Sequence, residues 1–404
     1  MVHPEFDRSW LRLSSVQRVF DVLEQAGQEA RVVGGAVRNS LLGEPVDDID
    51  IATTATPQMV MAQAAEHSVK AVGTGVEHGT VTLVIEGRPF EVTTLREDVE
   101  TFGRKATVRF GRDWSHDAQR RDFTLNALYL DRHGQLHDPL GGLDDCLARR
   151  VTFIGNAETR IREDYLRILR FYRFHAHYGA GAPDAEGRSA CAKLKDGLEQ
   201  LSAERISKEI LKLLSGAGAV ACLTMMEEDG ILQALFGRRL RVAELECASR
   251  LLEGTSFPCD PELGLIVLAI DKPGEAGRLA ERLRLSNAFE KRARLAVEAS
   301  DVLRQAENAN AFAHGVKLSL YRYGRQASAD GLILAKISGD TSIFAGMLKL
   351  VKETQVPVMP LSGRDLLAEG LAAGPEVGRR LKILEAEWIK SDFLTEKAKL
   401  LNIK

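Results

Sequence analysis

The sequence predicts an α+β protein: a small mixed sheet flanked by helices, followed by an all-helical remainder. Three observations predict it. Up to Asp131, short apolar strand-like runs alternate with glycine turns and helical stretches. After Gly155, apolar residues recur at helical spacing and strand signals thin out. The chain has 404 residues and 45% hydrophobic content, more than one ordinary core organises, so several domains are expected.

The elements follow in order. Residues 1–30 predict a helix, with Leu11, Leu13, Val16, Val19, Phe20 and Leu23 near helical spacing and Gly27 as its stop. Val32-Val33 predicts a strand entering the turn Gly34-Gly35. Ala36 to Leu42 predicts a helix closed by Gly43, and Asp48 to Ala52 an alternating strand. Thr56-Pro57 opens an amphipathic helix to about His67. His78–Glu86 and Arg88–Leu95 predict two strands joined at Glu86-Gly87. Arg96 to His116 is charged and contains glycine, which predicts a long loop; Phe123 to Asp131 is apolar and structured. Helices are expected over 158–178, 192–199, 203–215, 219–236 and 240–252 and through most of the remainder. A small-residue loop is expected at Gly179–Gly187 and a proline-containing junction at Gln355–Pro360.

Composition narrows the function classes. A formal net charge of −3 excludes a globally basic nucleic-acid binder, so any polyanion site must be a local patch. Five widely spaced cysteines without a CxxC pair argue against a disulfide framework or a zinc site and suit a reducing cytoplasm. Met1 to Trp10 carries charges and no apolar core of a signal peptide. No apolar run approaches the ~18 residues of a membrane span.

The chemistry concentrates near the start. Gly34 and Gly35 let a phosphate approach the backbone, and amides of the helix that follows would face it. Arg38 adds a bidentate donor fork. Asp48 and Asp50 alternate on one strand, so both carboxylates project from one face, as Mg²⁺ requires when nucleotide phosphates complete its shell. Two such ions would suit an in-line phosphoryl displacement. Glu91, apolar-flanked in Phe90-Glu91-Val92, is a third acid that would ligate metal or help deprotonate an attacking hydroxyl. Singly, these features are a turn, a strand edge and an exposed strand residue. Their ordered occurrence gives them meaning. No Walker loop and no dinucleotide fingerprint is present.

Gly34-Gly35-Ala36-Val37-Arg38-Asn39-Ser40-Leu41-Leu42-Gly43 with Asp48-Ile49-Asp50 resembles the first motif of class II tRNA nucleotidyltransferases, the CCA-adding enzymes and their poly(A) polymerase kin in the polymerase-beta-type superfamily. Arg120-Arg121-Asp122-Phe123-Thr124-Leu125-Asn126-Ala127 resembles the second motif, and Asp138-Pro139-Leu140-Gly141-Gly142-Leu143-Asp144 the third. Glu163-Asp164-Tyr165-Leu166-Arg167 resembles the fourth and Leu201-Ser202-Ala203-Glu204-Arg205-Ile206 the fifth. The match runs in order over roughly 31–215.

The resemblance implies a polymerase-beta-type head and a set of roles. Asp122 would bond the ribose 2′-hydroxyl, with Arg121 and Asn126 holding the nucleotide. Asp138–Asp144 would be a hinge. Asp164 and Arg167, expected on one helix face at i and i+3, would read the base edges of CTP and ATP without a template. Arg170, in the basic run Arg160, Arg162, Arg167, Arg170 and Arg173, would meet triphosphate or RNA backbone. His175 and His177 do not face each other and are not a metal pair. Val72 to Thr82 resembles the CCA-adding branch, and the long 96–116 segment resembles the loop that switches C to A addition. Asn39 departs from the usual Asp, and Phe102 and Lys105 from an expected Asp and His.

The expected organisation is a catalytic head at 1–137, a hinge and nucleotide-reading neck at 138–215, a helical body at 216–355 and a tail at 356–404 that binds tRNA. The expected activity adds C, C and A to the tRNA 3′ end from CTP and ATP, with Mg²⁺ on Asp48 and Asp50, contacts to the acceptor and elbow region of tRNA, and no membrane. The rivals are an A-adding, CC-adding or poly(A) product and, from another class, a non-catalytic RNA-binding module.

Overall fold

The computed structural model describes residues 6–102, 105–337 and 341–403. The chain divides into two compact units, 1–239 and 240–404.

In the first unit, α1 (Ser14–Leu23) buries Val16, Val19, Phe20 and Leu23. The predicted N-terminal helix is thus shorter than 1–30, preceded by a short 3₁₀ turn at Ser9–Arg12. Strands β1 (Ala30–Val33), β2 (Asp50–Thr53), β3 (Lys70–Gly75), β4 (Thr80–Ile85) and β5 (Arg88–Thr94) belong to one sheet. It is completed by β8 (Tyr129–Leu130) and β9 (Leu136–His137) in the order β3-β4-β5-β2-β1-β8-β9. β2 and β5 run parallel and the other neighbours antiparallel, so the sheet is mixed as expected. Helix α2 (Gly35–Leu42) fills the β1–β2 connection and ends at Gly43 in the left-handed region. Helix α3 (Pro57–Glu66) starts from a Thr56 side-chain cap on the Met59 amide.

The 96–116 segment differs from expectation. Its backbone forms a two-stranded antiparallel ribbon, β6 (Arg96–Phe102) and β7 (Lys105–Phe110), rather than a loop, with a register shift between Asp98 and Glu100. Thr101, Thr107 and Val108 are β-branched, and the inward-facing backbone groups of the two strands pair with each other, which an apolar-periodicity reading cannot see. The ribbon is followed by α4 (Trp114–Gln119), capped by Asp113. The side chains of Phe102 and Lys105 lie outside the described residues.

The turn at Gly34 fixes the site. Gly34 has φ 72° and ψ −118°, a backbone open only to glycine, and it redirects β1 into α2. Gly35 is already helical. Further on, a Cβ on Gly142 would lie 2.4 Å from the Thr124 carbonyl, so this glycine is required by close approach. Asp138 accepts the Gly142 and Leu143 amides at 2.8 and 2.9 Å, closing the turn into α5 (Leu143–Leu147).

The expected helix over 158–178 is interrupted. α6 (Ala157–Glu163) ends at Asp164, which is extended at φ −155° and ψ 106°, and α7 (Leu166–Tyr178) begins afresh. α8 (Ala185–Lys193) starts inside the expected loop because Asp184 caps the Gly187 amide. α9 (Ala203–Leu214) matches the expected 203–215 helix. The expected 219–236 helix is divided into α10 (Ala219–Glu228) and α11 (Ile231–Phe236) at Gly230, whose φ is 75°. The expected 192–199 helix is the end of α8 and a 3₁₀ turn at Lys195–Gln200.

The second unit is helical: α12 (Val242–Leu252), α13 (Pro261–Ala269), α14 (Pro273–Leu283), α15 (Asn287–Arg304), α16 (Ala309–Lys336), α17 (Thr341–Glu353), α18 (Gly363–Ala368), α19 (Pro375–Lys390) and α20 (Lys397–Leu401). α16 is two helical segments joined at Gly324. Asp330, fully buried, is held by Arg292 at 2.9 Å and Gln326 at 3.0 Å. Leu361, Leu366, Leu384, Trp388 and Leu400 make a small core of their own.

Gly34→Ala should cost about 1–3 kcal/mol through its positive φ. Gly35→Ala, whose Cβ would meet Arg38 Nη2 at an ordinary 3.8 Å, should leave the fold intact. Denaturant midpoints of the two variants check this contrast.

Candidate active site

The β1–α2 turn, the β2 edge, the segment Arg120–Asn126 that follows α4, and helices α7 and α9 line a cleft of about 620 Å³ within the first unit. Eight of its sixteen lining residues are arginines, against three aspartates. In a chain of net charge −3, this concentration makes the cleft a local anion site. Gly34, Gly35, Arg38, Arg121, Asp122, Asn126, Asp164, Arg167 and Arg170 all line it, so the whole expected nucleotide-binding set meets in one place.

The acids occupy one edge. Asp48 precedes β2 instead of lying within it, and the exposed Asp48 and Asp50 alternate with buried Ile49 and Ile51. Ile51 pairs with Val92 across the parallel β2–β5 ladder, which puts Asp50 and Glu91 at the same level with both residues exposed. Among the lining residues only Asp50 of the three faces the cleft. Its carboxyl is pushed above the ordinary aspartate value, first by desolvation and then by the Glu91 charge; Arg121 opposes the shift and Asp48 adds to it. Among the described residues no three acids or histidines close into a ready metal cage. Two carboxylates crowded by a third nevertheless fit a hard divalent ion, which takes its remaining oxygens from water and phosphate.

Arg38 is less free than its sequence position suggests. Its residue is 5% exposed, and its guanidinium donates to Asn126 Oδ1 at 2.5 Å and to Asn39 Oδ1 at 2.8 and 3.2 Å. It also lies 3.8 Å above the Tyr178 ring. Asn39 thus keeps the hydrogen bonds that the usual Asp would accept, and its own amide donates to the Pro45 carbonyl at 2.7 Å.

Asp122 is 8% exposed and fully engaged. Oδ1 accepts from the Phe123 amide at 2.9 Å and from Asn126 Nδ2 at 3.2 Å, while Oδ2 accepts from Arg170 Nε at 2.7 Å and from Arg170 Nη2. Burial alone would raise its pKa, but Arg170, Asn126 and the Phe123 amide hold it below the ordinary value. Glu209 on α9, also buried, accepts from Arg173 and stands 4.0 Å from Arg170.

Asp164 and Arg167 line the same cleft but do not share a helix face, because the helix breaks between α6 and α7. Asp164 accepts from Arg205 at 2.6 Å and caps the Leu166 amide at 3.1 Å, whereas Arg167 pairs with Glu163 at 2.6 Å. The expected i,i+3 geometry is therefore wrong, and each side chain is oriented by its own partner. Sequence reasoning did not single out Arg205 as the partner of Asp164, or Glu209 as the partner of Arg173. The i,i+4 spacing on strongly amphipathic α9 was the available signal.

Replacing Arg170 by Met leaves Asp122 buried without its cation, at a cost of about 3–5 kcal/mol. Because the folded pKa of Asp122 is depressed, the pair's stabilisation is complete above the unfolded aspartate value and disappears as pH falls through the folded one. Urea unfolding should therefore show a large wild-type-to-variant gap at neutral pH that narrows below about pH 4.

Residues 30–152 match the model of the Poly A polymerase head domain, and residues 183–240 that of a probable RNA and SrmB-binding site of polymerase A. Over 99% of its length the chain is 32% identical to CCA tRNA nucleotidyltransferase 1, mitochondrial, of Mus musculus, covering 91% of that protein. It is 31% identical to a CCA-adding enzyme of Lactobacillus delbrueckii over 90% of each. Its structure resembles that of the Bacillus stearothermophilus CCA-adding enzyme in complex with CTP at a TM-score of 0.71 and 28% identity, covering 94% of this chain and 93% of that one. The Thermotoga maritima CCA-adding enzyme complexed with tRNA shares the fold at a TM-score of 0.70 and 19% identity, over 98% of each chain. With sequence similarity running nearly end to end and a glycine turn, acidic edge and arginine-rich cleft in one place, the chain belongs to the CCA-adding tRNA nucleotidyltransferase family.

Proposed function

We propose that the protein adds C, C and A to the 3′ end of tRNA from CTP and ATP, releasing pyrophosphate without a nucleic-acid template. The observation that carries this reading is the single cleft in which the Gly34–Gly35 turn, Asp50 and eight arginines converge. Polymerase-beta-type transfer uses a divalent metal. Here Asp48 and Asp50, with Glu91 beside them, would hold Mg²⁺, which supplies charge neutralisation on the phosphates.

The chain's own groups do the rest. The α2 amides after Gly34 and the guanidinium of Arg121 receive the triphosphate. Asp122, held by Arg170 and Asn126, would accept from the ribose 2′-hydroxyl only by sharing an oxygen that these partners now occupy. Asp164 accepts from the exocyclic amino group that cytosine and adenine share, and Arg167 donates to the neighbouring ring acceptor. Uracil and guanine lack that pattern, which accounts for selection of C and A.

In this reading 1–137 is the catalytic head, 138–215 the hinge and nucleotide-reading neck, 216–355 the body and 356–404 a tail that grips tRNA phosphates near the elbow. Arg379 and Lys382, both exposed on α19, support the last assignment. Among the described residues no helix is long and apolar enough to cross a membrane. We place the protein in the cytoplasm because all five cysteines are free thiols, three of them buried.

With tRNA ending before CCA, CTP alone should give two added residues, and CTP with ATP should give three and stop. Failure to incorporate both C and A would overturn the reading, and a long A-tail would favour a poly(A) polymerase. Asp48→Ala and Asp50→Ala should each lower incorporation by about 10³-fold or more.

A further inference from the structure

Two consecutive arginines, Arg120 and Arg121, both reach the cleft. Adjacent residues do not ordinarily point the same way, and two neighbouring guanidiniums repel. Arg160 Nη2 donates to both of their backbone carbonyls at 2.6 Å, which pins the main chain and leaves the side chains to be placed by something else. That group is Asp117 on α4, which is fully buried. Its Oδ1 accepts from Arg120 Nε at 2.7 Å, and its Oδ2 accepts from Arg121 Nη2 at 3.0 Å and from the Tyr129 hydroxyl at 2.9 Å. One carboxylate thus divides its two oxygens between two cations.

Tyr129 ties this unit to the phosphate turn. It pairs with Val33 across β8 and β1, the residue just before Gly34, and its hydroxyl also accepts from Arg121 Nε at 3.3 Å. Trp114 packs edge-on against its ring at 5.4 Å. Arg121 is carried over the turn as a result: its Nη1 lies 3.7 Å from where a Gly34 Cβ would stand.

We propose that Asp117, with the Tyr129 hydroxyl, is a positioning residue that aims the Arg120–Arg121 pair at the triphosphate of the incoming nucleotide. This rests on the nucleotidyl-transfer reading above. Asp117 touches no substrate; it acts through the two arginines. Since all nucleotides share the triphosphate, its loss weakens every one of them equally and does not alter base choice.

Calorimetric titration of the full chain with CTP, ATP and pyrophosphate tests this, alongside thermal unfolding of each variant. Asp117→Asn should weaken all three ligands by one common factor of about tenfold or more, while tRNA affinity holds. Tyr129→Phe keeps the ring against Trp114 and should weaken all three by a smaller common factor; it carries the test should the Asn variant fail to fold. Unchanged affinity in a folded variant, or a loss confined to one nucleotide, overturns the proposal. If the wild type binds neither CTP nor ATP, it is the functional reading that fails.

Discussion

The buried carboxylate of Asp122 is the constraint on which the cleft depends. It cannot be dehydrated without cationic and amide partners. Meeting that need draws Asn126 from the same turn and Arg170 from α7 onto one point. Asn126 passes the constraint to Arg38 at the start of α2, and Arg38 rests on Tyr178 at the end of α7. Glu209 receives Arg173 behind this row. A polar ladder therefore joins the glycine turn to the helices that face it, and its members satisfy one another instead of water. The same bonds that stabilise the unit set where nucleotide-facing side chains can sit.

Much of the architecture was legible in the sequence because it depends on local rules. Gly34 before a helix, Gly43 after it, Thr56-Pro57 at a helix start and the alternation of β4 are all decided within a few residues. The ribbon β6–β7 was not legible as strands, since its backbone order comes from hydrogen bonds between two segments whose sequence is charged and lacks a regular apolar alternation. The break at Asp164 was hidden for the opposite reason. Apolar residues keep helical spacing through 158–178, yet the Asp164 carboxylate is drawn to Arg205 on α9 and to the Leu166 amide, and this tertiary pull outweighs propensity.

The site was legible as a set of residues but not as a set of partners. Ordered motifs were enough to bring nine expected nucleotide-facing residues into one cleft. They did not reveal that Arg38 and Asp122 would be saturated by neighbours, nor that Asp164 and Arg167 would face different counter-ions. Asn39 illustrates the distinction. As a sequence it is a lost charge; in the structure its oxygen still accepts from Arg38 Nε and Nη2, so the bonds survive without the charge.

The uneven placement of charge has a consequence for how a polyanion finds the protein. The molecule as a whole carries −3, while eight arginines crowd one cleft. Beyond a Debye length of about 8–10 Å at physiological salt, an approaching nucleic acid feels little of those arginines. The cleft's own attraction sets in only close to its mouth. Capture there depends on an end that can reach the arginines, not on how many phosphates the whole polyanion carries.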